Sequence, residues 1–107
     1  MMKPTIDFHN VNRRALASAE TLLSRLLPDG RREGVEWTAL NPRRADRNVG
    51  SFRININTGR WADFAIGEKG GDLVSLFAYV LGVRQGEAAA RILELLGDKE
   101  GLRYGTK

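Results

Sequence analysis

Seven residues in the middle of this chain have the types and spacing for chemistry on phosphates: Arg43, Arg44, Arg47, Arg53, Arg60, Trp61 and Lys69. A guanidinium meets a phosphate through two parallel N–H donors, so arginine is the better bidentate partner and lysine acts as a point charge. An aromatic ring between such cations can stack a nucleobase, typically worth about 1–3 kcal/mol per base. The stretch 31–60 also holds Arg31 and Arg32, and only Glu33, Glu36 and Asp46 oppose these arginines there. A solvated charged face is the plainer reading of the arginines, and core packing is the plainer reading of Trp61 and Trp37. Strand alternation groups Trp61 with Asp63 and Ala65, opposite Ala62, Phe64 and Ile66, and so leaves Trp61 partly exposed.

Other chemistry finds little support. Thiolates or imidazoles at fixed spacing are needed to hold zinc, but the chain has no cysteine and a lone histidine, His9, far upstream. The metal expectation is therefore none, and no cofactor is implied. Ser18, Ser24, Ser51 and Ser75 have no histidine in a workable constellation for nucleophilic catalysis. Asp46, Asp63, Glu68 and Asp72 are scattered, without the close acidic pair that metal-assisted phosphoryl chemistry uses. The run Gly67-Glu68-Lys69-Gly70-Gly71-Asp72 reads as a strand-to-helix loop. Its glycines and the helix N-terminus beyond could take an anion, with Lys69 adding charge. The competing reading makes Asp72 the N-cap, so that its own carboxylate fills that anion position.

The elements that must position these residues follow from periodicity. Residues 1–11 read as a loose lead-in. A first helix is expected from about Asn12 to Leu27, with Leu16, Ala19, Leu23, Leu26 and Leu27 on one stripe and Pro28-Asp29-Gly30 as its stop. Val35, Trp37 and Ala39 alternate with Glu36, Thr38 and Leu40 as an edge strand, and a polar loop from Pro42 to Gly50 follows. Phe52, Ile54 and Ile56 alternate with Arg53, Asn55 and Asn57, which predicts a half-buried strand with Arg53 toward solvent. Asn57-Thr58-Gly59 predicts a hairpin turn into a partner strand from Arg60 to Ile66.

The last third is helical. Leu73, Val74, Leu76, Phe77, Val80 and Leu81 predict one helix ending at Gly82. A second is expected over Glu87 to Leu96, with Ala89, Ile92, Leu93 and Leu96 on its apolar face, and residues 98–107 form a polar tail. The fold class is α+β: a three-stranded antiparallel sheet packed with an N-terminal helix and two C-terminal helices, in a single domain spanning residues 1–107.

With 107 residues, 42% hydrophobic and 28% charged content, the chain can bury one core. Its net charge of +4 points to acidic partners, nucleic acid first. No apolar run is long enough to span a membrane and Met1 to Asn10 lacks a signal-peptide core, which makes the cytoplasm the expected compartment.

The segment from about Trp37 to Gly97 resembles the N-terminal zinc-finger domain of bacterial and phage-type DNA primases. The likeness is greatest to the version that fronts plasmid, phage and integrated-element primase–helicases. Asn41-Pro42-x-Arg44 stands where that family has Cys-Pro-x-His, and Gly50-Ser51-Phe52 stands for Pro-Ser-Phe. Phe64 and Gly67 fall near the Cys-x-x-Cys positions, while Gly70-Gly71-Asp72-Leu73 and Gly86-Glu87-Ala88-Ala89 match the following turn and helix. The match covers a little over half of the chain and leaves the first helix outside.

The resemblance implies a zinc-ribbon-like sheet with all four metal positions replaced, by Asn41, Arg44, Phe64 and Gly67. The apolar helix stripes and Phe52, Ile54, Ile56 and Phe64 would then supply the folding energy in place of zinc. It also implies a non-catalytic domain that binds single-stranded DNA template beside a separate primase catalytic or helicase domain, since no acidic polymerase motif is present. The alternative is a protein-interaction module that docks such a helicase or catalytic domain through its helices.

Overall fold

Asp7 opens the first element. Its carboxylate accepts the Asn10 N–H at 3.0 Å, an N-cap that starts helix α1 (Phe8–Ala17) four residues before Asn12, inside the stretch expected to be a lead-in. The computed structural model describes residues 6–43 and 50–97. The single helix expected over 12–27 is two, α1 and α2 (Ala19–Leu26), because Ser18 leaves the helical basin at φ −123°, ψ 31°. Serine competes with the helix through its own hydroxyl and so favours such junctions. The break resets the buried stripe to Val11, Ala15, Ala19, Leu22, Leu23 and Leu27, and leaves Leu16 and Leu26 only partly covered.

Among the described residues five antiparallel strands, rather than the three expected, follow in a meander: β1 (Arg31–Glu33), β2 (Glu36–Ala39), β3 (Phe52–Asn55), β4 (Trp61–Asp63) and β5 (Glu68–Gly70). The two additional strands are the edges. Each has three residues, pairs with its neighbour through the backbone and lacks apolar alternation, so neither leaves a periodic signal. β5 lies inside the run that reads as a strand-to-helix loop. The central hairpin has the expected turn: Asn55 and Arg60 pair across it, and Gly59 takes φ 81° and donates to the Asn55 carbonyl at 2.8 Å.

Helix α3 (Leu73–Leu81) starts at Asp72, whose carboxylate accepts the Ser75 N–H at 2.8 Å, and stops at Gly82 in the left-handed region. Helix α4 (Gln85–Leu95) buries Ala88, Ala89, Ile92 and Leu93. Asn12 on α1 accepts the Val74 N–H at 2.9 Å, which satisfies one of the free donors at the start of α3 and ties the two helices together.

The helices cover one face of the sheet. Between the layers lie Trp37, Phe52, Ile54, Trp61, Leu73, Leu76 and Phe77, all buried. Each large side chain contributes about 1.5–3 kcal/mol of burial before the entropy cost. The indoles need room at both sheet margins: a side chain at Gly30 would strike Trp37 Nε1, and one at Gly70 would strike Trp61 Nε1. Trp37 Nε1 also donates to the Leu27 carbonyl at 3.2 Å, closing the end of α2 against β2. No helix among the described residues is long and apolar enough to cross a membrane.

Candidate nucleic-acid interface

Strand register decides which side chains share a face. Trp61 is directly opposite Ile54, and Ile54 is opposite Trp37, so both tryptophans point to the helices. Trp61 is 5% exposed. Its ring stacks on Tyr79 at 5.0 Å between centroids, meets Phe52 edge-on at 6.2 Å, and donates from Nε1 to Ser75 Oγ at 3.0 Å. The expectation that Trp61 stacks a base from the solvent face is therefore corrected, for its ring is committed to the core. Alternation over a three-residue strand fits either phase equally well, and the cross-strand partner chooses between them.

Phe64, expected in the core, is the reverse case at 71% exposed. β4 ends at Asp63, whose carbonyl accepts the N–H groups of Ile66 at 3.3 Å and Gly67 at 2.8 Å while its side chain accepts that of Ala65 at 2.9 Å. This turn begins at Phe64, itself anchored by donating its N–H to the Ser51 carbonyl at 2.8 Å. These backbone hydrogen bonds fix the turn and leave the Phe64 side chain exposed.

On the outer face one transverse row crosses all five strands: Arg31, Thr38, Arg53, Ala62 and Lys69, each directly opposite the next. Alternate members carry the charge. Two strand spacings separate Arg31 from Arg53 and Arg53 from Lys69, about 9.5 Å each way. Arg60 precedes Trp61 and so falls on the same side as Ala62. With Glu36, Arg53, Asn55, Thr58, Trp61, Ala62 and Phe64 it surrounds a shallow depression of about 510 Å³.

Two carboxylates temper the row. Arg31 pairs with Glu33 at 2.9 Å, and Arg53 reaches Glu36 at 3.4 Å while donating from Nε to the Gly50 carbonyl at 2.7 Å. These ion pairs lie in solvent and are worth little. Arg60 and Lys69 are exposed and form no ion pair among the described residues.

The remaining expected site residues divide. Lys69 lies on edge strand β5, away from the first turn of α3, where Asp72 has the capping role. Arg43 leaves the outer face: its guanidinium lies 5.8 Å from the centre of the Tyr79 ring, and its fork approaches Gly82 at the end of α3. Arg44 and Arg47 lie outside the described residues.

Asn41, at one expected former metal position, is buried at 1% exposure. Its Nδ2 donates to Asp63 Oδ2 at 2.8 Å and to the Tyr79 hydroxyl at 2.9 Å, and its Oδ1 accepts the Arg43 N–H at 2.8 Å. The ends of β2 and β4 are thus joined to α3 by a buried polar knot. Phe64 and Gly67 add no ligand atom, and the described residues contain no group of three or more His, Cys, Asp or Glu suited to a metal ion. Sequence reasoning placed Arg31 in the arginine-rich stretch and Asn41 and Phe64 at former metal positions, but found neither the outer-face place of Arg31 and Phe64 nor the buried hydrogen bonds of Asn41. The sequence matches no protein-family model and no curated protein.

Proposed function

We propose that this chain is a single-stranded nucleic-acid-binding domain, non-catalytic by itself, that serves as an N-terminal or accessory part of a DNA primase or primase–helicase. The observation that carries the binding reading is the outer row Arg31, Arg53 and Lys69 with Arg60 beside it, on the face of the sheet opposite the helices. The small, half-buried Ala62 keeps the surface between Arg53 and Lys69 low, so a phosphate backbone can cross those strands and meet both cations. The primase assignment rests on the resemblance of Asn41-Pro42-x-Arg44, Gly50-Ser51-Phe52 and Gly70-Gly71-Asp72-Leu73 to the pattern of the primase N-terminal zinc-finger domain, in which Asn41, Arg44, Phe64 and Gly67 would replace the metal ligands.

The test is fluorescence anisotropy with a labelled short oligothymidylate across a salt series. Wild type should bind at low salt, and log K should fall linearly with log salt, by about 0.7 per phosphate neutralised. Arg53→Glu combined with Arg60→Glu should abolish binding with an unchanged circular-dichroism spectrum. Equal binding by that double variant would remove the assigned surface.

One observation favours docking of a helicase or primase catalytic domain as the second reading. Leu81 is 41% exposed and borders an apolar groove with Leu26, Phe77 and Leu95, flanked by Arg25 and Arg91. Absence of oligonucleotide binding at low salt would shift the reading to this groove.

A further inference from the structure

The outer face offers cations for phosphates, but cations alone do not distinguish a single strand from a duplex. We infer that Phe64 is the base-stacking residue of this surface and confers preference for unpaired nucleotides; the inference rests on the nucleic-acid reading above. Three observations converge on it. Among the described residues Phe64 is the most exposed of the large apolar side chains, at 71%, so burial does not explain its position. Its turn is set by backbone hydrogen bonds from Phe64 to Ser51 and from Ile66 and Gly67 to Asp63, which present the ring on a fixed support. Phe64 lines the same depression as Arg53 and Arg60, which puts an exposed aromatic side chain beside two guanidinium groups.

A base turned out of a single strand can lie on the ring while its flanking phosphates reach the arginines, an arrangement typical of sequence-tolerant single-strand binders. A paired base inside a duplex has both faces occupied by its neighbours. Phe64 therefore adds affinity only for strands with free bases, and the arginines add it for any polyanion.

Two labelled strands of equal length and charge separate these terms: oligothymidylate, and an abasic strand with the same phosphates. The full chain is compared with Phe64→Ala and Phe64→Trp, each checked for folding by thermal unfolding. Wild type should prefer the thymidylate strand. Phe64→Ala should weaken thymidylate binding by about 5- to 150-fold while leaving abasic binding and the salt slope unchanged. Phe64→Trp should restore the preference. If Phe64→Ala leaves the ratio of the two affinities at its wild-type value, or if wild type binds both strands equally, stacking by Phe64 is overturned and the phosphate surface stands. Failure of wild type to bind either strand at low salt overturns both.

Discussion

The two faces of this sheet are built from the same short strands and have opposite tasks. On the inner face, Trp37, Ala39, Phe52, Ile54 and Trp61 are buried against the helices, and the polar groups at its margin, Asn41 and Asp63, are buried with hydrogen-bond partners. On the outer face, the matching positions hold the exposed cations Arg31, Arg53 and Lys69, with buried Thr38 and half-buried Ala62 between them. The lesson is that stability and the candidate binding surface are separable here at single-residue resolution. A side chain one step along a strand moves from one task to the other, because successive residues point to opposite faces. Trp61 and Arg60 are neighbours in sequence and stand on opposite sides of that division.

Three substitutions break or sharpen this contrast. The largest effect is expected from Trp61→Ala, which removes a ring packed between Phe52 and Tyr79 and should cost about 3–5 kcal/mol of stability in urea unfolding. An unchanged midpoint would place Trp61 with the outer face after all. Asn41→Ala should cost about 2–4 kcal/mol, because it deletes a donor to a buried carboxylate and leaves Asp63 Oδ2 without that bond. The same unfolding experiment checks it, and a loss under 0.5 kcal/mol, about the effect of an ordinary surface substitution, would show that the knot is not a cohesive feature.

The smallest effect is on the other face. Glu36→Gln removes the carboxylate that competes with phosphate for Arg53, and should tighten oligonucleotide binding by about two- to fivefold at low salt. Its unfolding midpoint should stay within about 0.5 kcal/mol of wild type. Weaker binding instead would mean that Glu36 positions Arg53 productively through their 3.4 Å contact.

Much of this arrangement was legible from residue order. Asp72 and Gly82 bracket α3 as caps, and their chemistry is local: a carboxylate three residues before an amide, and a residue free to turn left-handed. The hairpin around Gly59 was likewise readable, since Phe52 and Ile54 alternate strictly with Arg53 and Asn55. The edge strands were not, because Arg31–Glu33 and Glu68–Gly70 pair with β2 and β4 through backbone groups that carry no residue pattern. The break at Ser18 was hidden too, in a sequence whose apolar residues continue at helical spacing on both sides of it.

The sequence by itself determined the α+β class, the positions of α3 and α4, and the exposure of Arg53, since each follows from contacts or periodicity within a few residues. Only the tertiary structure decided the face of Trp61, the outward ring of Phe64, and the union of Asn41, Asp63 and Tyr79 across separations of 22 and 38 residues. The physical reason is common to all three. A short strand or turn can present either side to the core with the same local geometry, and the choice is made by partners distant in sequence: Ile54 opposite Trp61, the Ser51 carbonyl under Phe64, and the α3 hydroxyl of Tyr79 beside Asn41.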